Sequence, residues 1–278
     1  MISQPLLVRV LKAISRSGPL RIAKRWIITS RYVPRVSKRL EWTFGKTEDS
    51  NFYYPLTTIN ESHLASFVAN ICGSDSPTVE SLFAELRNNE TFLLAVEEFR
   101  QKNASVQDSS FEPGRRLGWY AFIRLRKPTF VLETGVHHGL GALVSILALE
   151  ANREEGFDGE YLGTDIHPSA GGLASGLFSN KYRLAYGDSI TSISTITDRV
   201  DLYISDSDHS SGYERRELDV VAGKLSNQAL VLADNAHATN VLKNWSEENG
   251  RNFLFFAESP SNHIYPGAGI GASWISNP

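Results

Sequence analysis

Two carboxylates and an amide stand just past two short apolar runs of this 278-residue chain: Asp206 follows 200–205, and Asp234-Asn235 follow 229–233. Both runs are rich in aliphatic and β-branched residues and read as buried strands. Side chains at the ends of neighbouring parallel strands can converge on one point. Two carboxylates and an amide carbonyl form a hard oxygen set suited to Mg²⁺, with water and a substrate hydroxyl completing an octahedron. Asp206, Asp234 and Asn235 are therefore candidate metal ligands. His209 lies three residues after Asp206, and a histidine is the side chain suited to taking a proton near neutrality. The alternative is a helix-start histidine bonded to a nearby carboxylate. Asp206 and His209 are the catalytic candidates, and Asp208 between them is either a cofactor contact or a solvated acid.

A second set of residues bears on what binds beside them. The apolar run Phe130 to Leu132 ends at Glu133 and passes through Thr134-Gly135-Val136-His137-His138-Gly139-Leu140-Gly141 into an apolar helical pattern. Such a strand-turn-helix lets backbone approach a ligand closely and offers free N–H groups at a helix start. A dinucleotide fingerprint is G-x-G-x-x-G. Here the pattern is Glu-x-Gly-x-x-x-Gly-x-Gly, and a carboxylate ahead of the first glycine suits a cationic ligand and repels a pyrophosphate. The stretch resembles motif I of class I S-adenosylmethionine methyltransferases, whose cofactor carries a sulfonium and an amino group. The resemblance implies that Glu133, Gly135, Val136, His137 and Gly139 surround that cofactor, with Asp165 and Ile166, Asp188 and Ser189, and Asp206 at the following strand ends. Asp165, thirty residues after Gly135, can accept both ribose hydroxyls of a nucleoside, a role shared by nicotinamide-binding folds. Asp188 resembles the acid beside the adenine, or else caps a helix. The backbone of His137 and His138 matters more than their imidazoles, and His167 reads as turn chemistry.

Asp206, Asp234 and Asn235 also match the ligand positions of divalent-metal-dependent O-methyltransferases of the catechol and caffeoyl-CoA type, which carry an Asp after strand four and an Asp-Asn pair after strand five. That family has a lysine where His209 stands. The Asp-x-x-His form, continuing as Ser210-Ser211-Gly212-Tyr213-Glu214, is similar to bacterial natural-product and sugar O-methyltransferases and to the related cephalosporin-hydroxylase group. The resemblance spans roughly Ser109 to Ser276. It implies that Mg²⁺ stabilises a developing alkoxide while His209 takes its proton, since an aliphatic alcohol is too weak an acid to ionise unaided at neutral pH.

These residues need an α/β frame to hold them. After the opening turn the chain alternates strand and helix, with strands expected at 161–164, 183–186, 200–205 and 229–233. Aspartates follow these strands: Asp165, Asp188, Asp206 and Asp234. A last pair, 253–256 and 270–275, reads as an antiparallel hairpin joined by a Pro- and Gly-containing loop that holds His263 and Tyr265. The fold class is α/β: a Rossmann-like class I methyltransferase sheet, mostly parallel with an antiparallel last strand, and an α-helical N-terminal extension. The expected division is 1–108, a basic segment and helical cap or dimerisation region, and 109–278, the cofactor-binding domain. Helices are expected from Asn60, as N-cap, to before Gly73, from Ser76-Pro77, over Thr91–Phe99, and across Gly114–Arg126. Arg115 and Arg116 could reach an acidic substrate, although exposed arginines at a helix start are the commoner case.

Net charge is −3 with ten basic and no acidic residues in 1–40, so the whole chain makes no electrostatic case for nucleic acid. The basic segment has roughly helical apolar spacing. It packs on its own domain or a second subunit, or it contacts an anionic membrane surface peripherally. One cysteine, Cys72, excludes an internal disulfide and fits a reducing cytoplasm. The expected activity is Mg²⁺-dependent O-methylation of a hydroxyl on a small molecule or saccharide, by a cytoplasmic homo-oligomer such as a dimer. An NAD-linked oxidoreductase and a non-catalytic cofactor-binding protein recruited through its basic N-terminus are the other readings.

Overall fold

The computed structural model describes residues 43–44, 53–102, 111–234 and 236–276, so the basic segment 1–40 lies outside the described residues. The chain forms two compact units, Met1–Thr47 and Glu48–Pro278. Of the first, only Thr43 and Phe44 are described, and both are helical and exposed. The second contains every element below, so the helices expected to form a cap share one unit with the sheet.

Helix α1 (Thr58–Cys72) starts where Thr57 Oγ1 accepts the Asn60 N–H and stops at Gly73, whose φ of 64° closes the end. The cap is thus Thr57 and not Asn60, because Asn60 has other partners. It is buried inside the first turn, donates Nδ2–H to the Ala257 carbonyl at 3.0 Å, and accepts the Ser259 N–H at 2.8 Å. Helix α2 (Ser76–Arg87) is capped by Asp75 and has Pro77 in its first turn, where a missing N–H costs nothing. Helix α3 (Glu90–Lys102) follows. Helix α4 (Arg116–Arg126) is buried on every side from Arg116 to Arg124. It packs against α1, α2 and the later helix α5 (Leu140–Glu154).

The strands are β1 (Phe130–Thr134), β2 (Glu160–Asp165), β3 (Tyr182–Tyr186), β4 (Val200–Ser205), β5 (Leu225–Asp234), β6 (Asn252–Ala257) and β7 (Gly269–Trp274). They form one sheet in the order β3-β2-β1-β4-β5-β7-β6. β7 runs antiparallel to both β5 and β6, and the other pairs are parallel. Helices α6 (Ser189–Thr195), α7 (Ser211–Ala222) and α8 (Val241–Glu248) cover one face, packing Ile193, Leu218, Val221, Leu242 and Trp245 against it. Helices α1 to α5 supply the core on the other. With both faces covered, β1 and β4 read as nearly unbroken apolar runs. Strand order reverses between β1 and β4, and a crevice opens outside their carboxyl ends.

Asn60 ties α1 to the chain leaving β6. Asn60→Ala removes both bonds and leaves the Ala257 carbonyl without its side-chain donor, so stability should fall by about 1–3 kcal/mol. A urea titration with unchanged slope and lower midpoint is the expected readout.

Candidate active site at the ends of β1 and β4

The register builds the site. Thr134 pairs with Ser205 across β1 and β4, and Ser205 with Ala233 across β4 and β5. The next residues, Gly135, Asp206 and Asp234, therefore leave the sheet side by side. A cavity of about 390 Å³ opens there, lined among others by Glu133, Gly135, His137, Arg116, Asp206 and His209. Of the sequence candidates, Glu133, Gly135, Val136, His137, Asp206, His209 and Asp234 line it. Gly139, Asp165, Ile166, Asp188 and Ser189 lie outside it, and Asn235 is not among the described residues.

The glycines are required first by the packing of the turn itself. Gly135 has φ of 85°, and a Cβ there would collide with the Asp206 carbonyl; Gly139 has φ of 93°, and a Cβ would press on the Gly171 backbone. At Gly141 a Cβ would strike Glu133 and Trp119. These positions let protein pack on protein, and ligand space lies beside them. His137 adopts φ of 47°, and its N–H donates to Asp165 Oδ2 at 2.8 Å while its carbonyl accepts the Gly171 N–H. Asp165 Oδ1 accepts the His167 N–H at 2.8 Å. The buried Asp165 thus holds the turn through backbone donors, and a carboxylate retains further lone pairs for a hydroxyl. Asp188 caps α6 through the Thr191 N–H and accepts the Tyr213 hydroxyl at 2.8 Å. Ser189 is buried and donates to Glu217. Asp208 accepts the Ser210 N–H at 2.7 Å.

Glu133 is buried and accepts the Tyr161 hydroxyl at 2.8 Å. Loss of solvent pushes its carboxyl up from 4.5 to about 8, partly offset by Tyr161 and Arg116. It is therefore a neutral acid that a nearby cation would ionise. The carboxylate so formed accepts from an ammonium group and attracts a sulfonium, and with the cavity volume it fits the cationic end of S-adenosylmethionine.

The expected metal set fares differently, because two arginines occupy it. Arg115 grips both oxygens of Asp234 and also donates to Glu258 Oε2 at 2.9 Å. Glu258 further accepts the Tyr54 hydroxyl at 2.7 Å and the backbone N–H of Arg115 and Ala268. Burial alone would raise the Asp234 carboxyl, but Arg115 pulls it down to about 2. Burial and the Asp234 charge push Asp206 well above the carboxylate range, so it keeps its proton and bonds to Asp234. Arg116 Nη2 reaches Asp206 Oδ2 at 3.4 Å. One candidate oxygen donor is protonated and another is fully engaged by a guanidinium. Among the described residues no group of three His, Cys, Asp or Glu side chains is arranged to hold a metal. As folded, Asp206 and Asp234 offer Mg²⁺ no free pair of oxygens, and the third expected ligand, Asn235, lies outside the described residues.

Arg115 and Arg116 correct the expectation of exposed helix-start arginines: they are 7% and 8% exposed. The signal was present in α4. A helix carrying Leu117, Trp119, Tyr120, Phe122 and Ile123 has no polar face to turn outward, so its arginines go inside with it. His209 is exposed, with Nε2 3.7 Å from Asp206 Oδ1. His237 and Tyr265 approach within 3.4 Å.

Glu133 makes stability depend on pH. The folded state holds its proton up to about 8, and the unfolded chain releases it near 4.5. Between those values the unfolded state is favoured by ionisation, so stability falls as pH rises through the window and stays low above it. Glu133→Gln should remove this component. Its denaturation midpoint relative to the parent should rise from pH 4 to pH 9, a difference that isolates Glu133 from Asp206 and Glu217.

Comparison with known proteins agrees with this architecture. Residues 132–236 match a family model described as a methyltransferase domain. No curated protein matches the chain. Among solved structures, the O-methyltransferase TomG from Streptomyces achromogenes in complex with SAM is 15% identical with a TM-score of 0.51, covering 68% of this chain and 91% of that one. Cofactor-bound Rv0187 from MTB is 13% identical with a TM-score of 0.52, covering 68% and 90%. An O-methyltransferase from Bacillus cereus in complex with SAH is 10% identical with a TM-score of 0.50, covering 67% and 91%. At these identities the likeness is one of fold. Sheet order, crevice position and family match converge: the chain carries a methyltransferase domain with the fold of the class I S-adenosylmethionine-dependent enzymes.

Proposed function

We propose that the chain transfers a methyl group from S-adenosylmethionine to a hydroxyl oxygen of a small molecule or saccharide, such as a sugar of a natural product or polysaccharide. The observation that carries this reading is the cavity at the β1–β4 reversal, walled by Glu133 and the glycine turn on one side and by Ser207 and His209 on the other. The SAM- and SAH-bound O-methyltransferases of like fold support it. The cofactor would supply a methyl group on a positively charged sulfur.

This chain's residues account for the remaining steps. Glu133 gives up its proton and faces the cationic end of the cofactor. The acceptor oxygen must lie in line with the methyl carbon and the sulfur, and the cavity walls set that alignment. His209 stands at the solvent side of the cavity, where Nε2 takes the acceptor's proton as the carbon–oxygen bond forms and the carbon–sulfur bond breaks. Asp206 Oδ1 lies 3.7 Å from this same nitrogen, so the ring turns its Nε2 edge toward the strand end. Magnesium has no part in this reading, because Arg115 already engages both oxygens of Asp234. Cytoplasmic location, a homo-oligomer, the division at 108/109 and peripheral contact of the segment 1–40 with an anionic membrane belong to the same proposal, carried by sequence alone. Among the described residues no helix is long and apolar enough to cross a membrane.

The experiment is labelled methyl transfer across a panel of glycosides and catechols, with and without EDTA. Turnover should survive chelation. His209→Gln should lower kcat by about 10²–10⁴-fold while affinity for S-adenosylhomocysteine stays within about twofold. Activity lost to EDTA and restored by Mg²⁺ would reinstate the metal. Failure to bind S-adenosylhomocysteine would sink the reading.

A further inference from the structure

We infer that Arg116 seats a carboxylate inside the cavity, in the region where the sequence placed a divalent cation. The two arginines that open α4 are both buried but differ in what they touch. Arg115 has two carboxylates and spends its donors on them. Arg116 is 8% exposed, and of the five donors a guanidinium carries one meets an acceptor, at 3.4 Å from Asp206. Its Nε is buried with no partner. The group is held in place by aromatic rings, with its central carbon 5.1 Å from the Trp119 ring centre and 6.0 Å from that of Tyr53.

What the surrounding acids leave unsatisfied is its donors: Arg115 takes Asp234 and Glu258, and Arg116 reaches Asp206 alone. A buried donor without an acceptor is costly, and this one belongs to a side chain lining a cavity of about 390 Å³ with room for an anion. A carboxylate suits the site because its two oxygens match the guanidinium fork. The ionised Asp234 in the same walls opposes a doubly charged phosphate more than a singly charged carboxylate. Two molecules could bring the carboxylate: the amino-acid end of the cofactor, or an acidic acceptor. Only the first depends on the S-adenosylmethionine reading.

The probes are benzoate and its uncharged analogue benzamide, titrated calorimetrically into the full chain without cofactor. Benzoate should bind at least about tenfold more tightly, since a hydrogen-bonded charged group contributes on that scale. Arg116→Gln should abolish the preference, and Arg116→Lys, which keeps the charge but not the fork, should fold and retain part of it. Equal binding of the two probes by the parent chain, or an unchanged preference in either variant, overturns the inference. Saturation with S-adenosylhomocysteine then separates the sources. If it abolishes benzoate binding while 5′-methylthioadenosine does not, the seat serves the cofactor; if benzoate still binds, it serves an acidic acceptor. Preference for benzoate in a chain that ignores S-adenosylhomocysteine would uphold the seat and refute the proposed function.

Discussion

The guanidinium of Arg115, held between Asp234 and Glu258, is the contact on which the site's layout depends. It joins the start of α4 to the ends of β5 and β6, three pieces of chain separated by up to 143 residues. A buried ion pair returns little net stability over an apolar substitute, yet removing one partner strands the others without solvent. Its main effect is therefore on geometry. Tyr54, the backbone N–H of Arg115 and that of Ala268 complete the shell around Glu258, so the last loop and the segment before α1 are drawn to the same point.

That contact also sets the protonation of the cavity. With Asp234 ionised by Arg115, its neighbour Asp206 cannot also carry charge at low cost, and like charges this close separate their titrations. Glu133, on the adjacent strand, is neutral for a different reason, which is loss of water. The crevice is rich in acids by sequence but holds fewer negative charges than its composition suggests. A cationic ligand entering it would draw protons off these groups, whereas a metal would first have to displace a guanidinium.

Much of the fold was legible because periodicity and punctuation agreed. The five parallel strands, the antiparallel last pair and the stop of α1 at Gly73 follow from local rules of burial and turn chemistry. Motif I was legible for the same reason, since the acid before the glycine carries chemical meaning. The polar partners were not. Nothing near Asn60 in sequence indicates that its amide belongs to Ala257 and Ser259, and nothing near Asp234 indicates Arg115. Both pairings cross more than a hundred residues. The metal expectation rests on the strand-end acids alone, and local spacing gives no sign of the cations that α4 brings to them.

Gly135 lies against the main chain of Asp206 and Ser207 with no room for a side chain, so this part of the crevice floor is made of peptide groups. Peptide groups are the same whatever the sequence, and a floor of this kind cannot drift by substitution. Selectivity among acceptors must then be written in the walls, in Tyr53, Arg116, Ser207 and His209. A library that varies Tyr53, Arg116 and Ser207 reshapes those walls without moving the packed turn beneath them.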